Sequence, residues 1–78
     1  MPLSQHEADI LRYLGKHKTA TAANIRRDLK LGRTPVRNAL RGLAGVGLVR
    51  ADHGTWPVSY SVTDMGGAVL AAADRDSR

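Results

Sequence analysis

Gly32-Arg33-Thr34-Pro35-Val36-Arg37-Asn38-Ala39-Leu40-Arg41-Gly42-Leu43 reads as a helix with two unlike sides. Val36, Ala39, Leu40 and Leu43 recur at helical spacing and make one apolar stripe. Arg37, Asn38 and Arg41 fall off that stripe and face outward. The Thr34 hydroxyl can cap the first turn, and Pro35 suits the first helical position, where no N–H is needed. The helix is expected over about residues 35–46, with Gly47 as a left-handed stop.

Upstream, Ser4 and Glu7 form a capping box at the head of a helix running from Ser4 to His17, with Leu3 able to staple onto Ala8. Ile10, Leu11 and Leu14 supply its buried stripe, and Lys16, His17 and Lys18 suit the negative end of the helix dipole. Thr19-Ala20 is a short link, extended enough to pair weakly with later strands. Thr21 caps a second helix, Ala22 to Lys30, which buries Ile25 and Leu29 and turns Arg26, Arg27 and Lys30 away. Leu31-Gly32-Arg33 is the tight turn that follows. Two helices joined by a short glycine-containing turn make a helix-turn-helix.

Downstream, Leu48 to Asp52 and Trp56 to Val62 read as two strands joined at His53-Gly54-Thr55. Trp56, Val58, Tyr60 and Val62 share one parity, so Trp56 is expected to cover the core. A partner surface or a nucleic-acid contact is the alternative role for this residue. Thr63 caps a last helix, Asp64 to Asp74, whose buried face would comprise Met65, Ala68, Val69, Ala72 and Ala73. Gly66 and Gly67 weaken its first turn. Residues 1–74 form one domain, and residues 75–78 are expected to be a disordered tail.

The net charge of +5 is unevenly placed. Residues 12–50 hold ten of the twelve Lys and Arg residues against Asp28 alone, while both flanking segments are net negative. A concentrated basic face attracts the phosphate backbone and releases its counterions. Absence of cysteine removes disulfides and thiolate metal sites and fits a reducing cytoplasm. No signal peptide or membrane span is indicated. His6, His17 and His53 are scattered, Ile10 stands where a zinc helix would need its second histidine, and no nucleophile turn or phosphate-binding loop occurs. Neither a catalytic site, a metal nor a cofactor is therefore expected.

The order of elements resembles a winged helix-turn-helix of prokaryotic transcription regulators, MarR-type proteins among them. The resemblance is carried by Ala22-Ala23-Asn24-Ile25, Thr34-Pro35-Val36-Arg37-Asn38-Ala39-Leu40, Leu43-Ala44-Gly45-Val46-Gly47-Leu48-Val49 and Tyr60-Ser61-Val62-Thr63-Asp64-Met65-Gly66. It implies an α+β fold, mostly α: a three-helix bundle with a β-hairpin wing and a short C-terminal helix. It further implies that helix three enters the major groove of duplex DNA with Arg33, Thr34, Arg37, Asn38 and Arg41 facing it. Arginine can pair with guanine and asparagine with adenine through two hydrogen bonds each. Arg26, Arg27 and Lys30 would hold the backbone, which positions without specifying. MarR-type wings usually carry an arginine at the tip. Here the tip is His53-Gly54-Thr55, so His53 and Thr55 are the candidate wing contacts. A variant of the fold that binds left-handed duplexes uses a tyrosine on helix three, where this chain has Arg41.

The function so implied is a sequence-specific, double-stranded-DNA-binding transcriptional regulator, a repressor, in the cytoplasm and associated with the nucleoid. A homodimer through the first and last helices would match it. The competing reading is a winged-helix protein-interaction module within a larger assembly. Salt separates the two, because only DNA binding weakens steeply as salt rises.

Overall fold

The computed structural model describes residues 4–76. The elements run α1 (Gln5–His17), β1 (Thr19–Thr21), α2 (Ala22–Leu29), α3 (Arg33–Gly45), β2 (Val49–Asp52), β3 (Ser59–Val62) and α4 (Asp64–Asp76). Three helices pack around one core, a small antiparallel sheet lies on one side, and α4 closes the end. This is the winged-helix arrangement.

Caps set most of the boundaries. At α1 the Glu7 N–H donates to Ser4 Oγ at 3.2 Å, and the Ser4 N–H donates to Glu7 Oε1 at 3.0 Å. The expected staple through Leu3 lies outside the described residues. At α2 the Asn24 N–H donates to Thr21 Oγ1 at 3.2 Å. The start of α3 departs from expectation. Its N-cap is Gly32, with no side-chain cap, and Thr34 is the second residue of the helix. The reason lies in the turn before it. Lys30 takes the left-handed conformation (φ 57°) and the Leu31 N–H reaches back to the Arg26 carbonyl at 3.0 Å, so the chain is free to enter α3 from Gly32. Pro35 becomes the third helical residue, still within the turn whose N–H groups have no helical acceptor. At the other end the Leu48 N–H donates to the Leu43 carbonyl and the Gly47 N–H to the Ala44 carbonyl. Gly47 sits at φ 81°, which makes a Schellman stop on the expected glycine.

The sheet order is β1-β3-β2. Thr19, Ala20 and Thr21 pair with Ser61, Tyr60 and Ser59, so the short link is an edge strand. Val49 pairs with Val62 and Ala51 with Tyr60. Val49, Ala51, Tyr60, Val62 and Ala20 therefore share the inner face. The second wing strand is shorter than expected, beginning at Ser59. Pairing stops at Asp52 and Ser59, so the parity that joins Trp56 to Tyr60 has no strand to carry it. Trp56 is 90% exposed rather than part of the core cover.

Ile10, Leu11, Leu14, Ile25, Val36 and Leu43 are wholly buried, with Ala20, Ala39, Leu40, Leu48 and Val49 completing the core. Burying one such aliphatic side chain is worth about 1.5–3 kcal/mol. The face of α4 also differs from expectation. Val69 and Leu70 pack on the core, while Met65, Ala68, Ala72 and Ala73 are exposed. Gly66 causes this rotation. It is buried where a Cβ would run into the Leu48 carbonyl and the Val62 side chain, so the helix can approach only on that side. Thr63 locks the approach. Its hydroxyl donates to the Gly47 carbonyl at 2.6 Å and accepts from the Gly66 N–H at 3.1 Å, and its N–H donates to the Leu48 carbonyl at 3.0 Å. The helix runs to Asp76, two residues past its expected end.

The Tyr13 hydroxyl donates to Asp28 Oδ2 at 2.5 Å and ties α1 to α2. That bond is the main reason the Asp28 carboxyl lies below its ordinary value of 3.8. The same bond raises Tyr13 above its ordinary 10.0. Asp28 thus contributes stability above pH 3.8 that is lost as pH falls through its folded value. The contribution of Tyr13 is complete below pH 10.0 and lost as pH rises through its folded value.

Two predictions follow from this packing. Gly66→Ala should lower unfolding free energy in urea by about 1–3 kcal/mol, an overpacking cost. Gly67→Ala, whose added Cβ meets nothing within 4 Å, should raise it by about 0.5–1 kcal/mol. In a carboxylate NMR titration, Tyr13→Phe should move the Asp28 midpoint up toward 3.8, and an unmoved midpoint would remove the bond from the account.

Candidate nucleic-acid interface

α3 buries Val36, Ala39, Leu40 and Leu43 and leaves its opposite side in water. Arg33, Arg37 and Arg41 are all exposed there. At four-residue spacing they form one ridge along the helix, with successive members about 6 Å apart in rise. Thr34 and Asn38, also four apart and exposed, form the adjacent row. Among the described residues the ion pairs are Arg12 with Asp9 and Arg27 with Asp28, each at 3.4 Å, so the ridge arginines enter neither. Three guanidinium groups are thus exposed, with no ion pair to a carboxylate among the described residues.

The two flanks of α3 differ. Toward the hairpin, Arg37, Leu40, Arg41, Ala44, Ala51, His53 and Tyr60 line an open groove of about 360 Å³. Its lining combines the apolar Leu40, Ala44 and Ala51 and the aromatic Tyr60 with the cations Arg37 and Arg41. Toward α1, Asn38 lines a second hollow of about 330 Å³ with Ser4, His6, Glu7, Pro35 and Ala39. A carboxylate borders that flank, and the Glu7 side chain lies against Gly42. Charge on α3 is therefore biased toward the wing.

The remaining expected site residues fall into separate groups. Lys30 is exposed at the turn before α3, close in sequence to Arg33. Arg26 is half-buried, and its Nε is enclosed without a hydrogen-bond partner. Arg27 is exposed but engaged locally, donating to Asp28 Oδ1 and Asn24 Oδ1 at 3.4 Å each. Such long, exposed contacts are weak and yield readily to a stronger anion. Thr34 is exposed and does not cap the helix, and no cap side chain serves the first-turn N–H groups of Arg33 and Thr34. On the wing, His53 joins the groove, whereas the Thr55 hydroxyl turns inward to the Pro57 carbonyl and to Ser59 Oγ at 3.4 Å.

Trp56 is the surface residue that the sequence pattern misassigned. Pro57 directly after it, with no N–H to give a ladder, was the signal that the strand had not yet begun.

Comparison with known proteins places these features in context. The profile of the family described as "Sugar-specific transcriptional regulator TrmB" matches residues 1–66. No curated protein matches the chain in sequence. Among solved structures, the wild-type ZitR of Lactococcus lactis in complex with DNA is 26% identical with TM-score 0.76, over 88% of this chain and 49% of ZitR. The MarR family regulator NMB1585 of Neisseria meningitidis is 23% identical with TM-score 0.83, over 96% of this chain and 55% of that one. The Zalpha domain of PKZ from Carassius auratus, solved with Z-DNA, is 20% identical with TM-score 0.70, over 76% and 94%. The chain thus spans about half the length of the two bacterial regulators. With five-sixths of its residues matched and a winged helix around them, the chain belongs to the TrmB family of transcriptional regulators.

Proposed function

We propose that this domain binds duplex DNA with α3 in the major groove and represses transcription by occluding the site it covers. The observation that carries the reading is the ridge of Arg33, Arg37 and Arg41, free of ion pairs among the described residues and backed by a fully buried stripe. A helix so held spends little conformational entropy on docking. Family membership and the fold shared with a DNA-bound regulator support the same reading.

In this reading Arg37 and Arg41 take base edges or phosphates from the centre of the ridge. Arg33, Thr34 and the first-turn N–H groups hold a phosphate at the start of α3. Asn38 reaches the duplex from the α1 side. Lys30, Arg26 and Arg27 hold backbone, and Arg27 must first leave Asp28 and Asn24. His53 and Thr55 contribute from the wing. Residues 1–74, with α4 continuing to Asp76, act as the DNA-binding unit. A second copy joined through α1 and α4 would place two recognition helices on half-sites one helical turn apart, so a pseudo-palindromic operator is expected.

The role is binding rather than catalysis, and it calls for no cofactor or metal. No helix among the described residues is long and apolar enough to cross a membrane. A cytoplasmic, nucleoid-associated protein fits this function. The exposure of Trp56, Met65 at 58% and Val46 at 61% favours the second reading, a docking module in a larger assembly.

Fluorescence anisotropy with a duplex across a salt series separates the two. Wild type should bind with affinity that falls steeply with salt, the log–log slope dropping by about 0.9 for each phosphate contact removed. Arg37→Ala and Arg41→Ala should each weaken binding, and where the arginine pairs with guanine the loss should be about 1–3 kcal/mol on the preferred sequence only. Absence of duplex binding at low salt would overturn the DNA reading in favour of docking.

A further inference from the structure

Asp28 is the one carboxylate of residues 12–50, the stretch that holds ten of the twelve Lys and Arg residues. Two side chains draw on it. The Tyr13 hydroxyl donates to Oδ2 at 2.5 Å, and Arg27 Nε donates to Oδ1 at 3.4 Å. The partners are unequal. A short O–H···O⁻ bond is among the stronger contacts a carboxylate makes, whereas a close arginine pair would sit at about 2.7–2.9 Å with two parallel bonds. The Tyr13 bond also depresses the Asp28 carboxyl more than the Arg27 contact does. Tyr13 thus sets where the carboxylate sits, and Arg27 is left with one long contact to it.

The tyrosine is held in place from its own helix. Its ring centroid stands 4.2 Å from that of His17, and its side chain packs against the core. Because it belongs to α1, its hydroxyl fixes Asp28 from outside α2. Arg27 is by contrast loosely held. Its side chain is 73% exposed, and its other hydrogen bond goes to Asn24 Oδ1 at 3.4 Å. It lies in the last turn of α2, ahead of the turn that leads into the α3 ridge.

We propose that Tyr13 is a positioning residue for DNA binding, acting through Asp28. By taking one oxygen of the carboxylate it keeps Asp28 from closing on Arg27, and the guanidinium is left for a backbone phosphate. Without the hydroxyl, the carboxylate turns to Arg27, and a phosphate must compete with a charged neighbour on the same helix. Tyr13 itself touches no DNA. The inference rests on the DNA-binding reading above and adds a residue of α1 to it.

A double-mutant cycle tests it, read by the anisotropy of a fluorescein-labelled mixed-sequence duplex across a salt series, with the full chain. Tyr13→Phe keeps the ring and loses the hydroxyl. It should bind about two- to fivefold more weakly than wild type, the range an exposed ion pair spans. Its salt slope should be smaller, because Arg27 engages a phosphate less often. Asp28→Asn removes the competing charge and should bind more tightly. Both substitutions weaken the tie between α1 and α2, so a purely structural role would move them in the same direction. In an Arg27→Ala background, Tyr13→Phe should change nothing. Tyr13→Phe binding as wild type, Asp28→Asn weakening binding, or a Tyr13→Phe loss that persists in Arg27→Ala would each overturn the inference and leave α3 as the reader. Arg27→Ala binding with wild-type affinity and slope would overturn it as well. Failure of wild type to bind duplex at low salt would overturn the DNA reading and this inference together.

Discussion

Four side chains on one side of α3 fix what its other side can do. Val36, Ala39, Leu40 and Leu43 enter the same core as Ile10, Leu11 and Leu14 of α1 and Ile25 of α2, and none is more than 5% exposed. A helix buried so completely along one stripe cannot roll without opening the core, at a cost of about 2–5 kcal/mol for each large aliphatic removed. The arginines on the far side therefore have a fixed backbone beneath them. Their long stems keep rotameric freedom, but their spacing is set by the helix. In a domain of 78 residues with no phenylalanine, that aliphatic cluster is nearly all the core there is.

A second junction transmits this rigidity to the wing and to α4. Leu48 closes the end of α3 with its N–H, and its carbonyl receives the Thr63 N–H that starts α4. Gly66 lies against that same carbonyl, and the Thr63 hydroxyl bridges the Gly47 carbonyl and the Gly66 N–H. The exit of α3, the root of the hairpin and the entry to α4 thus meet around a single residue, Leu48. Substitution at Gly66 or Thr63 would be felt at the hairpin as well as at the helix. The hairpin is further held by β1, which pairs with β3 on the edge away from β2.

Much of this was legible from local chemistry. Ser4 with Glu7, Thr21 and Thr63 are caps whose hydroxyls need only their own next turn, and Gly47 is required by the sign of its own φ. Such features depend on few residues and survive folding unchanged. The departures come from a backbone turn, from the end of strand pairing and from a contact between distant segments. α3 starts at Arg33 because Lys30, not a glycine, takes the left-handed turn. Trp56 escapes the core because pairing ends at Ser59, which parity alone does not reveal. The inward face of α4 is chosen by the Gly66 approach to Leu48, a meeting across eighteen residues of sequence. Of the candidate site, the arginine ridge could be read from spacing. Only the structure reveals the engagement of Arg27 and Thr55 and the position of Asn38 on the opposite flank from His53.

The most direct test of the account is amide and arginine-side-chain NMR of the full chain titrated with duplex DNA. The account predicts shifts concentrated on residues 30–41 and 53–60, with guanidinium signals of Arg37 and Arg41 among the most affected. The exposed face of α4 around Met65 and Ala68 should stay still at substoichiometric DNA. Shifts confined to α4, with the α3 ridge unmoved, would contradict the claim that α3 is the reading surface.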